Sequence, residues 1–332
     1  MPPSIPIGLA AGLATALLFA SASAGGMTGR MILFFLAPLP SYLAGLGWGW
    51  LSATIAAVVG GVVTSLLLGV RTGSVFFLSQ GIPLIALCHL ALLNRPAAVA
   101  GPLPGGASPQ VEWYPIGRIL AAAALMAGAL AFVSILLLGA DLDGLRAMLR
   151  EMLDKVLLQQ MPGLGGPDLG EAEKTALAAM MLQALPAGSA VLWLGGFTLN
   201  LWLAAKISRL SGHLSRPWPS LADTRLPRGF GICLVLAIAA SLLSDLPGLL
   251  GTGFAGAFLF AYLLVGLAII HHATRGLVAR PFILWSVYLG LIVFNTWAGL
   301  LVAMVAILEP VMWYRRPDPS DGGTPPQSPP ST

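Results

Sequence analysis

Few residues of this chain could do chemistry, because most of it is apolar, and Glu309 is the clearest of them. It stands inside an apolar run, six and seven residues before Arg315 and Arg316. A carboxylate in hydrocarbon is a candidate carrier of protons or ions, while a carboxylate near a helix end pairs readily with interfacial cations. Glu309 is therefore a possible coupling or structural carboxylate, with the arginine pairing the plainer expectation. His271 and His272 are adjacent, so on a helix they point about 100° apart and cannot share one metal in the i,i+4 manner. They read as interface residues, His89 as a core residue of its span, and Asp245-Leu246-Pro247 as a turn cap. Three uncharged amides, Gln80, Asn200 and Asn295, also fall in apolar runs. Each needs a hydrogen-bond partner there. They either join helices, at under about 2 kcal/mol apiece, or line a pocket for a small molecule as ligand-binding groups.

The absences narrow the chemistry. No GxxxxGK[ST] phosphate loop, HExxH, GxSxG or Cys/His metal cluster occurs in the sequence. The chain is expected to be no enzyme, to hold no metal and no cofactor, and to carry no ATPase of its own. Cys88 and Cys233 each lie in an apolar run without ligand spacing, and such thiols behave as small hydrophobes. The formal charge of +4 is spread over short loops, so it offers no nucleic-acid surface.

The elements that must position these residues are membrane helices. Of 332 residues, 57% are apolar and 9% charged, where a soluble domain carries roughly a quarter charged. A bilayer core of about 30 Å takes about 20 helical residues. That length places spans near 6–25, 31–46, 48–69, 75–93, 118–140, 187–205, 229–247, 253–272, 281–297 and 299–314. Pro38, Pro40 and the glycine-rich turn at 45–49 split the long second run, and a hairpin near Asn295 to Gly299 splits the last. The expected fold class is all-α, a polytopic bundle of about ten spans in a single integral membrane domain, 1–316. Gly8, Gly12, Ala16, Ala20 and Ala24 recur every four residues, and Gly45 and Gly49 repeat the spacing. Small residues at that interval allow close helix packing.

Charge sets the orientation. With a cytoplasmic N-terminus, eleven Lys and Arg, from Arg95 and Arg118 through Lys206, Arg209, Arg216, Arg225 and Arg228 to Arg316, fall inside and six outside. Both termini are then cytoplasmic. The first helix reads as retained, since no charge precedes Arg30 and a secretory signal carries a positive start. Residues 94–117 read as a loop and 317–332 as a disordered Pro/Ser/Gly tail. Within 141–162, Leu142, Leu145, Leu149, Met152, Leu153, Val156 and Leu157 recur at helical spacing, which predicts an amphipathic helix in the interface plane. Residues 170–185 predict a second one before Pro186.

Several short segments carry a family resemblance: Ala37-Pro38-Leu39-Pro40-Ser41 with the turn at 45–49, Ser79-Gln80-Gly81-Ile82-Pro83, Asp223-Thr224-Arg225-Leu226-Pro227, and Glu309 to Arg316. Over most of residues 5–316 the chain resembles the YybS-like family of uncharacterised bacterial membrane proteins. That family is similar to the substrate-binding components of energy-coupling-factor transporters. The resemblance implies a polytopic inner-membrane protein that binds a small molecule, with the ATPases on separate chains.

Three functional readings follow. The first is a transporter-like or substrate-binding subunit in the lipid bilayer, partnered by other membrane subunits or ATPase chains. The second is a scaffold for cell-envelope or division machinery, in which the amides only join helices. The third is a secondary transporter of five plus five inverted spans, since 141–186 divides the helices evenly.

Overall fold

In hydrocarbon a backbone amide has no partner but another backbone group, so charge-free runs of this length become helices. The computed structural model describes residues 3–22, 27–96, 111–138, 142–160, 170–220 and 224–313. They belong to two compact units, Met1–Ala261 and Tyr262–Thr332. Seven segments are long and apolar enough to cross a membrane: Ser4–Ala22, Gly29–Trp48, Trp50–Leu68, Val70–Leu92, Ile116–Leu137, Ala172–Leu210 and Asp245–Ala273. Three shorter apolar helices, Phe230–Ser241, Arg280–Phe294 and Thr296–Glu309, fall below a spanning length.

The first unit opens with α1 (Ser4–Ala22), α2 (Met27–Leu36), α3 (Leu39–Trp48) and α4 (Trp50–Leu68). Gly49 and Gly69 bracket α4 with φ of 98° and 92°, a backbone region that L side chains rarely adopt. Their amides close the preceding helices, onto the carbonyls of Gly45 and Ser65. Gly49 thus serves the turn, and no atom lies within 4 Å of where its Cβ would be. The expected packing role there gives way to a conformational one. Gly8 and Gly12 do lie against a helix: their missing Cβ atoms would stand 2.9 Å from the Ser52 carbonyl and 2.6 Å from the Ala56 carbonyl of α4. Ala16 is fully buried on the same stripe, and Ala24 lies outside the described residues.

After α4 come α5 (Val70–Phe76), a π turn (Phe77–Gly81) and α6 (Ile82–Leu92). The segment read as a loop holds a two-stranded antiparallel ribbon, β1 (Asn94–Pro96) with β2 (Val111–Trp113), in which Arg95 pairs Glu112 at 2.8 Å. That hydrogen bond and the Arg95 charge hold the Glu112 carboxyl below the ordinary carboxylate range. The all-α expectation needs this small exception; three-residue strands leave no periodicity to read. Arg216 fastens the ribbon to the helices by donating to the carbonyls of Ala91 and Tyr114 at 3.2 and 2.8 Å. Burial lowers its pKa from the usual arginine value.

The second half of this unit contains α7 (Ile116–Leu138), α8 (Leu142–Gln160), α9 (Glu171–Leu210), α10 (Phe230–Ser241) and the first part of α11 (Asp245–Ala273). Residues 170–185 are not a separate amphipathic helix. They are the start of α9, which runs 40 residues straight through Pro186. A proline removes one helical bond, but here the ring is fully buried, and the Ser189 hydroxyl donates to the Pro186 carbonyl. Close packing continues opposite, where a Cβ on Gly256 would stand 2.7 Å from the Ala187 backbone.

Part of the apolar stripe of α8 is covered by protein, while Met152 is exposed. Leu145 and Leu149 pack with Ile135 of α7, Ala178 and Leu182 of α9 and Leu249 of α11. The start of the long α9 supplies much of that cover. Side chains 153–160, including those of Leu153, Val156 and Leu157, are not described.

The second unit holds the end of α11, then α12 (Arg280–Phe294) and α13 (Thr296–Trp313). Gly266 admits the Val302 carbonyl to the α11 backbone. Asn295 joins α12 to α13 with φ 36° and ψ −98°, and Gly290 and Ala298 face one another across the turn. His271 meets its own helix through Nδ1 and the Leu267 carbonyl at 3.0 Å, and Tyr288 through Nε2 at 3.4 Å. His272 is exposed.

Candidate functional site

Two of the spanning segments are interrupted, and the interruptions are written in proline. In the first, Pro38 and Pro40 cannot donate to the carbonyls of Phe34 and Leu36, so α2 stops at Leu36 and α3 starts at Leu39. In the second, Pro83 cannot donate to the Ser79 carbonyl. The chain absorbs the fault as a π turn, with the Ile82 amide bonded five residues back to the Phe77 carbonyl. Single π turns within α-helices often sit at functional sites. In membrane proteins, non-helical backbone survives only where protein or water covers it.

Both interrupted segments approach the same face of α4. A Cβ on Gly45 of α3 would lie 2.8 Å from the Ala53 methyl, and one on Gly81 would lie 3.3 Å from the Ala57 methyl. Ala53 and Ala57 are one helical turn apart. Gly45 also abuts Cys88 of α6, whose Sγ lies 2.6 Å from where a Cβ would stand, which brings α3 and α6 together.

The polar groups at these breaks are buried and incompletely satisfied. Gln80 occupies the π turn and is buried, and its side-chain amide makes no hydrogen bond among the described residues. Asn200, on α9 and 2% exposed, donates through Nδ2 to the Phe35 carbonyl at 2.7 Å and to the Gly196 carbonyl of its own helix at 2.8 Å. The bond to Phe35 reaches the backbone beside the Pro38 fault. Two donated bonds fix the orientation of the amide, and its Oδ1 is left buried without a partner. Tyr42 of α3 is 1% exposed, with its hydroxyl likewise unpartnered. Nearby, Thr15 and Ser41 join α1 to α3 through a buried hydroxyl pair at 2.7 Å.

Of the three amides singled out by sequence, the structure sets Gln80 and Asn200 at the two helix interruptions of the first unit. Asn295 is different: it is the exposed turn residue of the α12–α13 hairpin in the second unit, not a group deep in a span. A left-handed backbone suits asparagine well, and the turn is sufficient reason for the residue. Sequence reasoning missed Tyr42, whose type is common at membrane interfaces, and its only signal is its place just after Pro40. Glu309 lies half-buried near the end of α13, and the expected partners Arg315 and Arg316 fall outside the described residues. Among the described residues no group of three His, Cys, Asp or Glu side chains could hold a metal ion.

The polar groups at the breaks are amides and hydroxyls, and none of them is a general acid or base near neutral pH. No curated protein and no solved structure matches this chain. The family described as predicted membrane protein, DUF2232, matches residues 13–308, from α1 into α13. With most of its length matched, and several helices of membrane-crossing character within the match, the chain belongs to the DUF2232 family of predicted membrane proteins.

Proposed function

We propose that this protein is a substrate-binding, transporter-like subunit of the bacterial inner membrane. It works without an ATPase of its own, and separate chains supply the energy. The observation that carries this reading is the pair of interrupted helices on one face of α4, with Gln80 buried in the π turn and the Asn200 oxygen and the Tyr42 hydroxyl buried without partners. Transporters place substrate at such interruptions, where unwound backbone and a few polar side chains replace water. The resemblance to the YybS-like family, and through it to energy-coupling-factor components, points the same way.

Gln80 gives the clean test. Gln80→Ala is expected to leave the melting temperature unchanged. It is expected also to abolish retention of the small molecule that leaves the membrane with the wild-type protein, as read by mass spectrometry after denaturation. Equal retention by the variant defeats the binding reading. A scaffold reading takes support from the bond that Asn200 donates to the Phe35 carbonyl, which joins α9 to α2, but it gives no account of the unpartnered oxygen.

The same proposal includes ten membrane passes, with α10, α12 and α13 as short spans, and cytoplasmic termini set by the eleven-to-six partition of Lys and Arg. A reporter active only in the periplasm, fused after residue 316, is expected to stay silent. Activity there removes the final hairpin as a pair of spans.

A further inference from the structure

One end of the first unit carries a concentration of positive charge that the binding proposal does not use. Arg95, Arg118, Lys206, Arg209, Arg216, Arg225 and Arg228 lie in the ribbon, at the start of α7, at the end of α9 and in the segment that follows it. Among the described residues of these segments Glu112 is the sole carboxylate; Arg95 pairs it, and the Arg118 charge also acts on it. They form one locality. Arg216 bonds the ends of α6 and β2, the Arg225 carbonyl fills the space a Cβ would take on Gly117, and Gly117 adjoins Arg118.

Arg216 is committed to backbone carbonyls. Arg118, Lys206, Arg209 and Arg228 are exposed, and none forms an ion pair among the described residues. Three of these four lean on aromatic rings: Arg118 on Tyr114 at 5.9 Å, Lys206 on Trp202 at 5.0 Å and Arg209 on Trp218 at 5.1 Å. Tyrosine and tryptophan at the ends of spanning helices mark the depth of the headgroup layer, and long basic stems reach from that depth toward charge. Orientation by the positive-inside bias needs only that cations be on one side. It does not require them to be held over aromatic rings where the described residues carry one carboxylate for seven cations.

We propose that this collar binds the phosphodiester of an anionic phospholipid, with Arg118, Arg209 and Arg228 as its cationic contacts and Trp202 and Trp218 flanking the headgroup. A lipid fits better than an acidic protein because the cations are distributed among the ends of α6, α7, α9 and the entry to α10, where headgroups reach between helices. The inference is independent of the substrate-binding reading.

The full chain, purified in a mild detergent, would be mixed with equal amounts of phosphatidylglycerol and phosphatidylcholine bearing identical acyl chains, and retained lipid counted by native mass spectrometry. Wild type is expected to prefer phosphatidylglycerol at least tenfold, given that each cation near an anionic surface contributes a factor of about five. The triple variant Arg118→Gln, Arg209→Gln, Arg228→Gln is expected to lose that preference, and the corresponding triple lysine variant to keep most of it. A glutamine variant that fails to fold would be replaced by quenching of wild-type tryptophan fluorescence in vesicles, with brominated phosphatidylglycerol expected to quench more than brominated phosphatidylcholine. Equal retention or equal quenching of the two lipids overturns the proposal. Displacement by glycerol phosphate as effective as by the lipid overturns it in favour of a free phosphate. A preference that depends on a co-purifying acidic protein overturns it in favour of protein docking.

Discussion

Gly12→Val is expected to cost about 3 kcal/mol of stability, the upper part of the range for overpacking a tight contact. A Cβ at position 12 would stand 2.6 Å from the Ala56 carbonyl and 2.8 Å from the Val59 Cβ. The first of these is backbone, so no rotamer change relieves it, and α1 must move away from α4. Movement of α1 also pulls Thr15 from Ser41. Thermal unfolding in detergent, followed by circular dichroism, should show a lowered midpoint. Gly29→Ala is the control: nothing lies within 4 Å of that position, and a helical glycine replaced by alanine there should raise stability by roughly 0.5–1 kcal/mol. Equal effects of the two substitutions would mean that the α1–α4 contact is not close.

Asn200→Leu is expected to destabilise by about 2 kcal/mol. The leucine approximates the branched shape of asparagine but donates nothing, so the Phe35 carbonyl loses its side-chain partner beside a backbone fault where the helix offers few substitutes. Asn200→Asp separates the two functions of the amide. It keeps an acceptor where Oδ1 now is and removes the donor, so it should be destabilised too, while Asn200→Gln should recover only part of the loss because the longer stem shifts both bonds. The readout is again the unfolding midpoint. An unchanged midpoint for Asn200→Leu would show that α2 and α9 are held by packing alone.

The polytopic helical character was legible at once, because charge-free runs leave a membrane helix as the one way to satisfy the backbone. The break at Gly49 was legible for a related reason: a glycine cluster after two prolines has few structural uses besides ending a helix. Prolines were harder. Pro38 and Pro83 interrupt their helices, whereas Pro186 lies inside a continuous 40-residue helix, and the difference is made by long-range packing around Ala187 that no local pattern encodes. The same is true of α8. Its stripe of leucines announced an apolar face, but not whether lipid or the α9 extension would cover it, since Leu145 and Leu182 are far apart in sequence. In the candidate site, Gln80 and Asn200 stood out as amides in apolar runs. Their position at the breaks, the unpartnered Tyr42 hydroxyl and the turn role of Asn295 required the fold.

A 40-residue helix measures about 60 Å, twice the hydrocarbon thickness of a bilayer. Pro186 divides α9 into an apolar shaft and an arm of about 22 Å that bears α8. The arm therefore has the form of a buttress: Ala178 and Leu182 hold α8 against Ile135 of α7 and Leu249 of α11, so one continuous helix ties an amphipathic element to the packed bundle.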